Sequence, residues 1–128
     1  MNQRSKLIIT LFVGMAIGAA ASAANMLQQG TKKAAYVVAD VEVTDPAGFQ
    51  AYVTKVPDTL KAFNGRTIAR GKPEPKEGDA PKGSMVIIAF DSLADAEKWY
   101  SSPQYTQLIP ERQKAAKSQV YIVDGMPQ

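Results

Sequence analysis

One segment, residues 84–90 (SMVIIAF), is apolar on both sides of the strand that its composition predicts. Successive side chains of a strand point to opposite faces of its sheet. One face therefore carries Val86, Ile88 and Phe90, and the other carries Met85, Ile87 and Ala89. Because a large apolar surface is rarely left in water, we expect this strand to lie in a sheet that is covered on both sides.

The strand predicted over residues 35–43 has two unlike faces. Its wholly apolar face consists of Val37, Ala39, Val41 and Val43. The opposite, mixed face consists of Tyr36, Val38, Asp40 and Glu42. Carboxylates are depleted in strands, so Asp40 is the first candidate for a functional role.

The predicted helices carry start and stop signals. Asp45-Pro46 supplies an N-cap and a first-turn proline for a helix that should end at Gly65 in a left-handed conformation. Pro57 should kink or break this helix near the preceding residue. Ser102-Pro103 repeats the start signal, and the helix that it opens should kink at Pro110.

The remaining elements complete a strand–helix–strand–strand–helix–strand order. Residues 66–71 and 119–124 predict short strands, and Ser92 caps the helix that follows the apolar strand. The proline-rich residues 72–82 form an exposed loop, either a mobile flap or a tolerated insertion. This order predicts an α+β fold, the ferredoxin-like βαββαβ sandwich, whose helices cover one face of an antiparallel sheet.

The uncovered face of this sheet would be apolar in a single copy, because it includes Val38 and one side of residues 84–90. The last strand adds to it either Val120 and Ile122 or Tyr121 and Val123. We expect a second copy to cover this face, which gives a homodimer whose two sheets form an α/β barrel. The alternative is a lone sandwich that binds a lipid-like ligand there.

Residues 1–23 have the composition of a secretory signal. Arg4 and Lys6 precede an uncharged apolar run that ends in small residues, so we expect cleavage after Ala23 and a periplasmic or secreted protein. An uncleaved inner-membrane anchor is the alternative, since the run approaches the length of a membrane span. The expected organisation is a signal peptide at 1–23, a tether at 24–33, a folded domain at 34–125 and a C-terminal tail at 126–128.

The composition excludes several kinds of site. Removing Arg4 and Lys6 from the 15 basic residues leaves 13 against 12 acidic ones, and their even mixing gives no footprint for nucleic acid. The chain contains no Cys and no His. This excludes structural zinc, a thiol nucleophile, a disulfide, a Ser-His-Asp triad and haem held by His or Cys. We therefore expect no metal and no cofactor.

Short motifs distributed over residues 34–125 carry a family resemblance. The most specific is residues 99–105 (WYSSPQY), which follow the apolar strand, and residues 36–45 also match. On these motifs the chain resembles the family called domain of unknown function 1330, in the dimeric α/β-barrel superfamily. It departs from the family at Lys72, where a second glycine is usual, and at Gln104, where an acid is common. The resemblance implies the fold and the dimer. If the protein is an enzyme, it implies a cofactor-free oxygenase- or isomerase-like activity.

Six residues are candidates for ligand binding. Asp40 lies on the face assigned to the barrel interior, where it would act as a base or an anchor, or else pair structurally with an arginine. Arg66 and Arg70 should share one face of their strand, with Arg70 suited to clamp a carboxylate, unless both are surface charges. The aromatic candidates for pocket walls are Tyr36, Trp99 and Tyr105, with Tyr52 and Tyr121 weaker. Trp99 and Tyr105 lie with Tyr100 where two helices meet, and the alternative for these three is core packing or a dimer contact.

Two functions are consistent with these residues. The first is an exported homodimer that binds a small, partly apolar molecule in the barrel interior, where Asp40 and Arg70 orient it. The second is a non-catalytic structural or stress-related envelope protein whose barrel interior is only core. A filled interior, with Asp40 capped by an arginine, would favour the second function.

Overall fold

The computed structural model describes residues 33–128. The predicted signal peptide, residues 1–23, and all but the last residue of the predicted tether, residues 24–33, lie outside the described residues. Within the described part, no helix is both long and apolar enough to cross a membrane.

The elements of the described residues follow the predicted order. The strands are β1 (Ala35–Val43), β2 (Arg66–Gly71), β3 (Ser84–Phe90) and β4 (Ala116–Asp124). The helices are α1 (Pro46–Lys61), α2 (Leu93–Ser101), α3 (Pro103–Thr106) and α4 (Ile109–Ala115). The strands pair antiparallel in the order β2-β3-β1-β4. This is the ferredoxin-like α+β fold that the sequence predicted.

The strand register assigns every side chain to one of two faces, because paired residues share a face. The face that the helices cover, here called the helix face, carries Val37, Ile88 and Ile122 side by side on three strands. The opposite face, here called the open face, carries Tyr36, Ala89 and Val123 in the same way. Tyr121 and Val123, rather than Val120 and Ile122, therefore complete the open face.

The core lies between the helix face and the helices. Its largest fully buried side chains are Phe90, Trp99 and Tyr105. The ring centroids of Phe90 and Trp99 are 5.5 Å apart, and those of Trp99 and Tyr105 are 4.0 Å apart. These contacts attach α2 and α3 to the sheet, so the conspicuous WYSSPQY motif is in part a packing motif.

The predicted start signals are confirmed. The Asp45 carboxylate accepts a hydrogen bond from the Gly48 N–H at 3.2 Å, and the Ser92 hydroxyl caps α2. The Ser102 hydroxyl accepts one from the Tyr105 N–H at 3.3 Å. Each cap satisfies a backbone donor that the helix itself leaves unpaired.

Two expectations about α1 need correction. The helix runs without a break through Pro57 to Lys61, and Val56 and Leu60 on either side of the proline are buried in the core. The break expected at Pro57 is therefore wrong, while the kink stays a prediction. The left-handed residue at its end is Asn64, with φ of 54°, and not Gly65. Gly65 is instead required by space, because a Cβ there would lie 2.7 Å from atoms of Leu60 and Phe90.

The helix predicted after Ser102-Pro103 is two helices. It stops at Thr106, and Pro110 lies in the first turn of α4, where a missing N–H costs nothing, instead of kinking a longer helix. The last strand begins at Ala116, earlier than predicted. The Ala115 carbonyl accepts the backbone N–H groups of two residues after β1, at 2.8 and 3.0 Å, which fixes this junction.

Candidate ligand-binding site

A cavity of about 160 Å³ lies between the helix face of the sheet and the helices. Most of its wall is aliphatic. The wall includes Val37, Ala39 and Val41 from β1, Val53 from α1, Val86 from β3 and Val120 from β4. The strands supply these residues because alternation directs every second side chain toward the helices. The space is therefore built by the same periodicity that builds the core.

Three polar side chains meet at one side of the cavity, each from a different helix. Tyr52 comes from α1, Tyr105 from α3 and Arg112 from α4, and all three line the cavity. The two tyrosine hydroxyls are 2.8 Å apart. Arg112 donates a hydrogen bond from Nη1 to the Tyr105 hydroxyl at 3.0 Å. We call this group the Arg–Tyr cluster.

Arg112 is the unusual member of the cluster. It is only 6% exposed, yet within residues 33–128 no carboxylate forms an ion pair with it. Its buried Nε also finds no hydrogen-bond partner there. A guanidinium is not deprotonated in proteins, and burying an unpaired charge costs several kcal/mol. The cluster therefore holds an uncompensated positive charge beside a cavity.

The tyrosines of the cluster are neutral hydrogen-bond donors. Burial raises the pKa of Tyr105, and the nearby Tyr52 raises it further. Burial likewise raises the pKa of Tyr52, although its hydrogen bond with Tyr105 opposes the change. Both phenols are thus neutral at physiological pH and carry two protons, of which their mutual hydrogen bond uses one. The other O–H has no acceptor within the cluster.

A second buried polar chain nearby is complete by contrast. The Trp99 indole N–H donates to the Thr59 hydroxyl at 2.9 Å, and that hydroxyl donates to the Val56 carbonyl at 2.7 Å. Every donor in this chain has an acceptor. Trp99 therefore contributes only a ring surface to the cavity, whereas the Arg–Tyr cluster contributes unused donors.

The structure separates the six candidate residues into two groups. Arg70, Trp99 and Tyr105 line the cavity on the helix face. The other three candidates, Asp40, Tyr36 and Arg66, lie on the open face. In a single chain the sheet lies between the two groups. They therefore do not form one site, although the sequence analysis expected Asp40 and Arg70 to act on the same ligand. The described cavity is on the opposite side of the sheet from the interior of a two-sheet barrel.

A β-bulge separates the two arginines of β2. Arg66 pairs with Ala89 on the open face, and Arg70 pairs with Val86 on the helix face. The register shifts at Ile68, which adds one residue to β2 and inverts the alternation beyond it. The prediction that both arginines share a face is therefore wrong. Arg66 instead contacts the Asp91 carboxylate at 3.3 Å at the surface.

Asp40 is held by backbone. Its Oδ1 accepts a hydrogen bond from the Gly83 N–H at 3.0 Å, and no arginine pairs with it among the described residues. Gly83 leads into β3, so this bond closes the end of the 72–82 loop against β1. A Cβ at Gly83 would overlap the Val41 carbonyl, which explains why glycine is needed for this approach.

Sequence reasoning missed Arg112 and ranked Tyr52 too low. A signal was present, since Arg112 follows Tyr105 and Leu108 at the spacing of one helix face. An arginine among positions that otherwise point inward indicates a buried charge.

Metal binding finds no support in the described residues. Within 33–128 no three acidic side chains are grouped so that they could hold an ion.

The comparisons agree with this architecture. The model of the family described as "Domain of unknown function (DUF1330)" matches residues 34–126. The chain belongs to the DUF1330 family. No curated protein sequence matches it.

Solved structures similar to this DUF1330 protein share its fold. RPA0582 from Rhodopseudomonas palustris, a protein of unknown function, is 15% identical with a TM-score of 0.53, over 75% of this chain and 85% of that one. SnoaB, a cofactor-independent oxygenase from Streptomyces nogalater, is 12% identical with a TM-score of 0.53, over 75% and 96%. A dimeric ferredoxin-like protein of unknown function from Thermobifida fusca is 11% identical with a TM-score of 0.51, over 73% and 92%.

Proposed function

We propose that this protein is an exported homodimer, each copy of which binds one small, partly apolar molecule between its sheet and its helices. The observation that carries the proposal is the cavity beside Arg112, a buried cation without a counter-ion among the described residues. A site that existed only for packing would have no reason to retain both an empty space and an uncompensated charge.

The size of the cavity suits a ligand of about one ring. An apolar protein cavity of about 150 Å³ is large enough to bind benzene, and this one has about 160 Å³. The aliphatic wall favours an apolar body, while the Arg–Tyr cluster favours a polar group at one end. This moves the proposed ligand from the barrel interior to the cavity on the helix face of the sheet.

The chemistry supported here is binding. The described cavity wall contains no carboxylate that would serve as a base, and the raised pKa values of Tyr52 and Tyr105 keep both phenols protonated, so neither is available as a base near neutral pH. The oxygenase activity of SnoaB belongs to a protein that shares only the fold.

The homodimer is supported by the open face. Tyr121 and Val123 there are 55% and 49% exposed in the single chain, and Ile68 on the adjoining bulge is 55% exposed. These lie beside the half-buried Val38 and Ile87 on the central strands. An apolar surface of this kind is the usual mark of an interface, and the Thermobifida fusca relative is dimeric. A second copy covers it with the same surface.

Export rests on the sequence of residues 1–23 alone. Expression of the full chain with a tag at its C-terminus tests it. Recovery of a chain that begins at Ala24 outside the cytoplasm is the expected outcome. An intact chain in the membrane fraction would instead indicate the anchor.

Toluene is a direct probe of the cavity. Residues 24–128 should be stabilised by toluene, with about 1.4 kcal/mol gained at a concentration tenfold above the Kd. Ala39→Leu fills the cavity from β1 and should abolish this gain, as seen by thermal unfolding and by NMR titration. Ala51→Leu adds the same atoms on the exposed side of α1 and should retain it. Equal gains in both variants would place toluene elsewhere.

Light scattering tests the homodimer. Residues 24–128 should show the mass of two copies at micromolar concentration. Ile87→Lys places a charge on the open face and should yield monomers, whereas Gln107→Lys places the same charge on an exposed site between α3 and α4 and should not. A wild-type monomer at micromolar concentration contradicts the proposal.

A further inference from the structure

The Arg–Tyr cluster has more donors than acceptors. Arg112 brings five N–H donors, of which one is bound to the Tyr105 hydroxyl. The tyrosines bring two O–H donors, of which one is used between them. The acceptors around Arg112 are the two phenol oxygens of the cluster and the hydroxyl of Tyr100, which lies close to the guanidinium. The Tyr105 oxygen already accepts from Arg112, so the donors still outnumber the acceptors. A ligand that completes the cluster must therefore bring acceptors.

The charge balance points in the same direction. Arg70 adds a second cation to the cavity wall, and no acidic side chain contributes to the described wall. The Nε of Arg112 is buried without a partner, and the whole residue is only 6% exposed. Water at this position would supply acceptors but no negative charge. An anion supplies both, through hydrogen bonds that are shorter and stronger than neutral ones.

We propose that the ligand of this cavity is a carboxylate on a small apolar body, with the carboxylate bound by Arg112 and by the unused tyrosine O–H of the cluster. This inference rests on the proposed function and adds the chemical class of the ligand. The apolar body occupies the space between Val86 on β3 and Val53 on α1, and its length is limited to about one ring by the volume of about 160 Å³.

Benzoate and toluene are a matched pair of probes, because they share the ring and differ in the carboxylate. NMR titration of residues 24–128 should give a Kd for benzoate that is about ten- to a hundredfold lower than that for toluene. Lowering the pH until benzoate is protonated should raise its Kd toward that of toluene and leave the Kd of toluene unchanged. The Arg112 Nε–H resonance should shift with benzoate and not with toluene.

Arg112→Met keeps an unbranched, mostly apolar stem as far as the position of Nε and removes the charged guanidinium. This variant should raise the Kd of benzoate by about tenfold or more and leave the Kd of toluene within about threefold of the wild-type value. Arg66→Met removes the same charge from the open face and should leave the Kd values of both probes as in wild type. If Arg112→Met does not fold, the Nε–H shift and the pH dependence on the wild-type chain decide the question.

The outcomes separate the two proposals. Saturable toluene binding with no preference for benzoate overturns the carboxylate inference and leaves the proposed cavity function in place. A preference for benzoate that persists in Arg112→Met, or that appears without a shift of the Nε–H resonance, also overturns the inference. Binding of neither probe overturns both.

Discussion

The two faces of the sheet are both apolar, but they are completed in different ways. On the helix face, Phe90 is 0% exposed and Val37 is 2% exposed, because helices cover them. On the open face, Tyr121 and Val123 keep about half of their surface in water. Alternate residues of the same strands thus serve the folding of the single chain on one side and, in the proposed homodimer, association on the other.

The charges on the two faces differ as well. On the side of the helix face, α4 carries a buried cation, Arg112, with no counter-ion in the described part of the chain. The open face has a half-buried anion, Asp40, which a backbone N–H satisfies. The helix side therefore lacks a counter-ion for its buried charge, while the open side lacks a cover for its apolar surface. Substitutions on the two faces should consequently affect different measurements.

The largest expected effect is on folding. Phe90→Ala removes a fully buried ring from the helix face and should lower the free energy of unfolding by about 3–5 kcal/mol. The loss should be the same at every protein concentration in urea unfolding. Tyr121→Ala, on the open face, should cost less than about 1 kcal/mol at low concentration, with a loss that grows with concentration as the dimer forms. Equal, concentration-independent losses would contradict the division of tasks.

A smaller effect should appear at alkaline pH. Burial raises the pKa of Tyr52 and Tyr105 above 10.0 in the folded state, so the unfolded chain releases these protons first. Stability is then full below about pH 10 and falls above it, by about 1.4 kcal/mol per pH unit for each phenol that stays protonated. Urea unfolding at a series of alkaline pH values measures this slope.

The matched variants are Tyr52→Phe, on α1 above the helix face, and Tyr121→Phe, on the open face. Removing the buried phenol should flatten the alkaline slope. Removing the phenol of Tyr121, whose ring is 55% exposed, should leave the slope as in wild type. An unchanged slope in Tyr52→Phe would show that this phenol titrates alike in both states.

Much of the fold was predictable because local signals and long-range packing agree. The alternation in β1 and β3, and the caps at Asp45 and Ser102, each place a residue where the fold also requires it. The helix break predicted at Pro57 does not occur, because packing on both sides of the proline outweighs the missing hydrogen bond.

The site was less predictable for a geometric reason. The bulge at Ile68 follows from how β2 pairs with β3, and nothing in the local sequence shows an inserted residue. The Arg–Tyr cluster combines α1, α3 and α4, so its members meet only after folding. Asp40 was visible in the sequence because it interrupts an apolar strand, whereas the burial of Arg112 depends on how α4 packs against α1 and α3.

The smallest expected effect concerns Asp40 and would sharpen the contrast between the faces. Asp40→Asn keeps an oxygen that can accept from the Gly83 N–H, so the loss of stability should be about 1 kcal/mol, the difference between a charged and a neutral hydrogen bond. Because the side chain lies across the sheet from the cavity, the Kd values of toluene and benzoate should remain within about twofold of wild type.

Asp40→Ala, which leaves the N–H unpaired, should lower the free energy of unfolding further, by about 1–3 kcal/mol. NMR titration and urea unfolding of both variants provide the two readings. A tenfold change in Kd with intact folding would mean that the open face takes part in ligand binding, and the separation of the two faces would then fail.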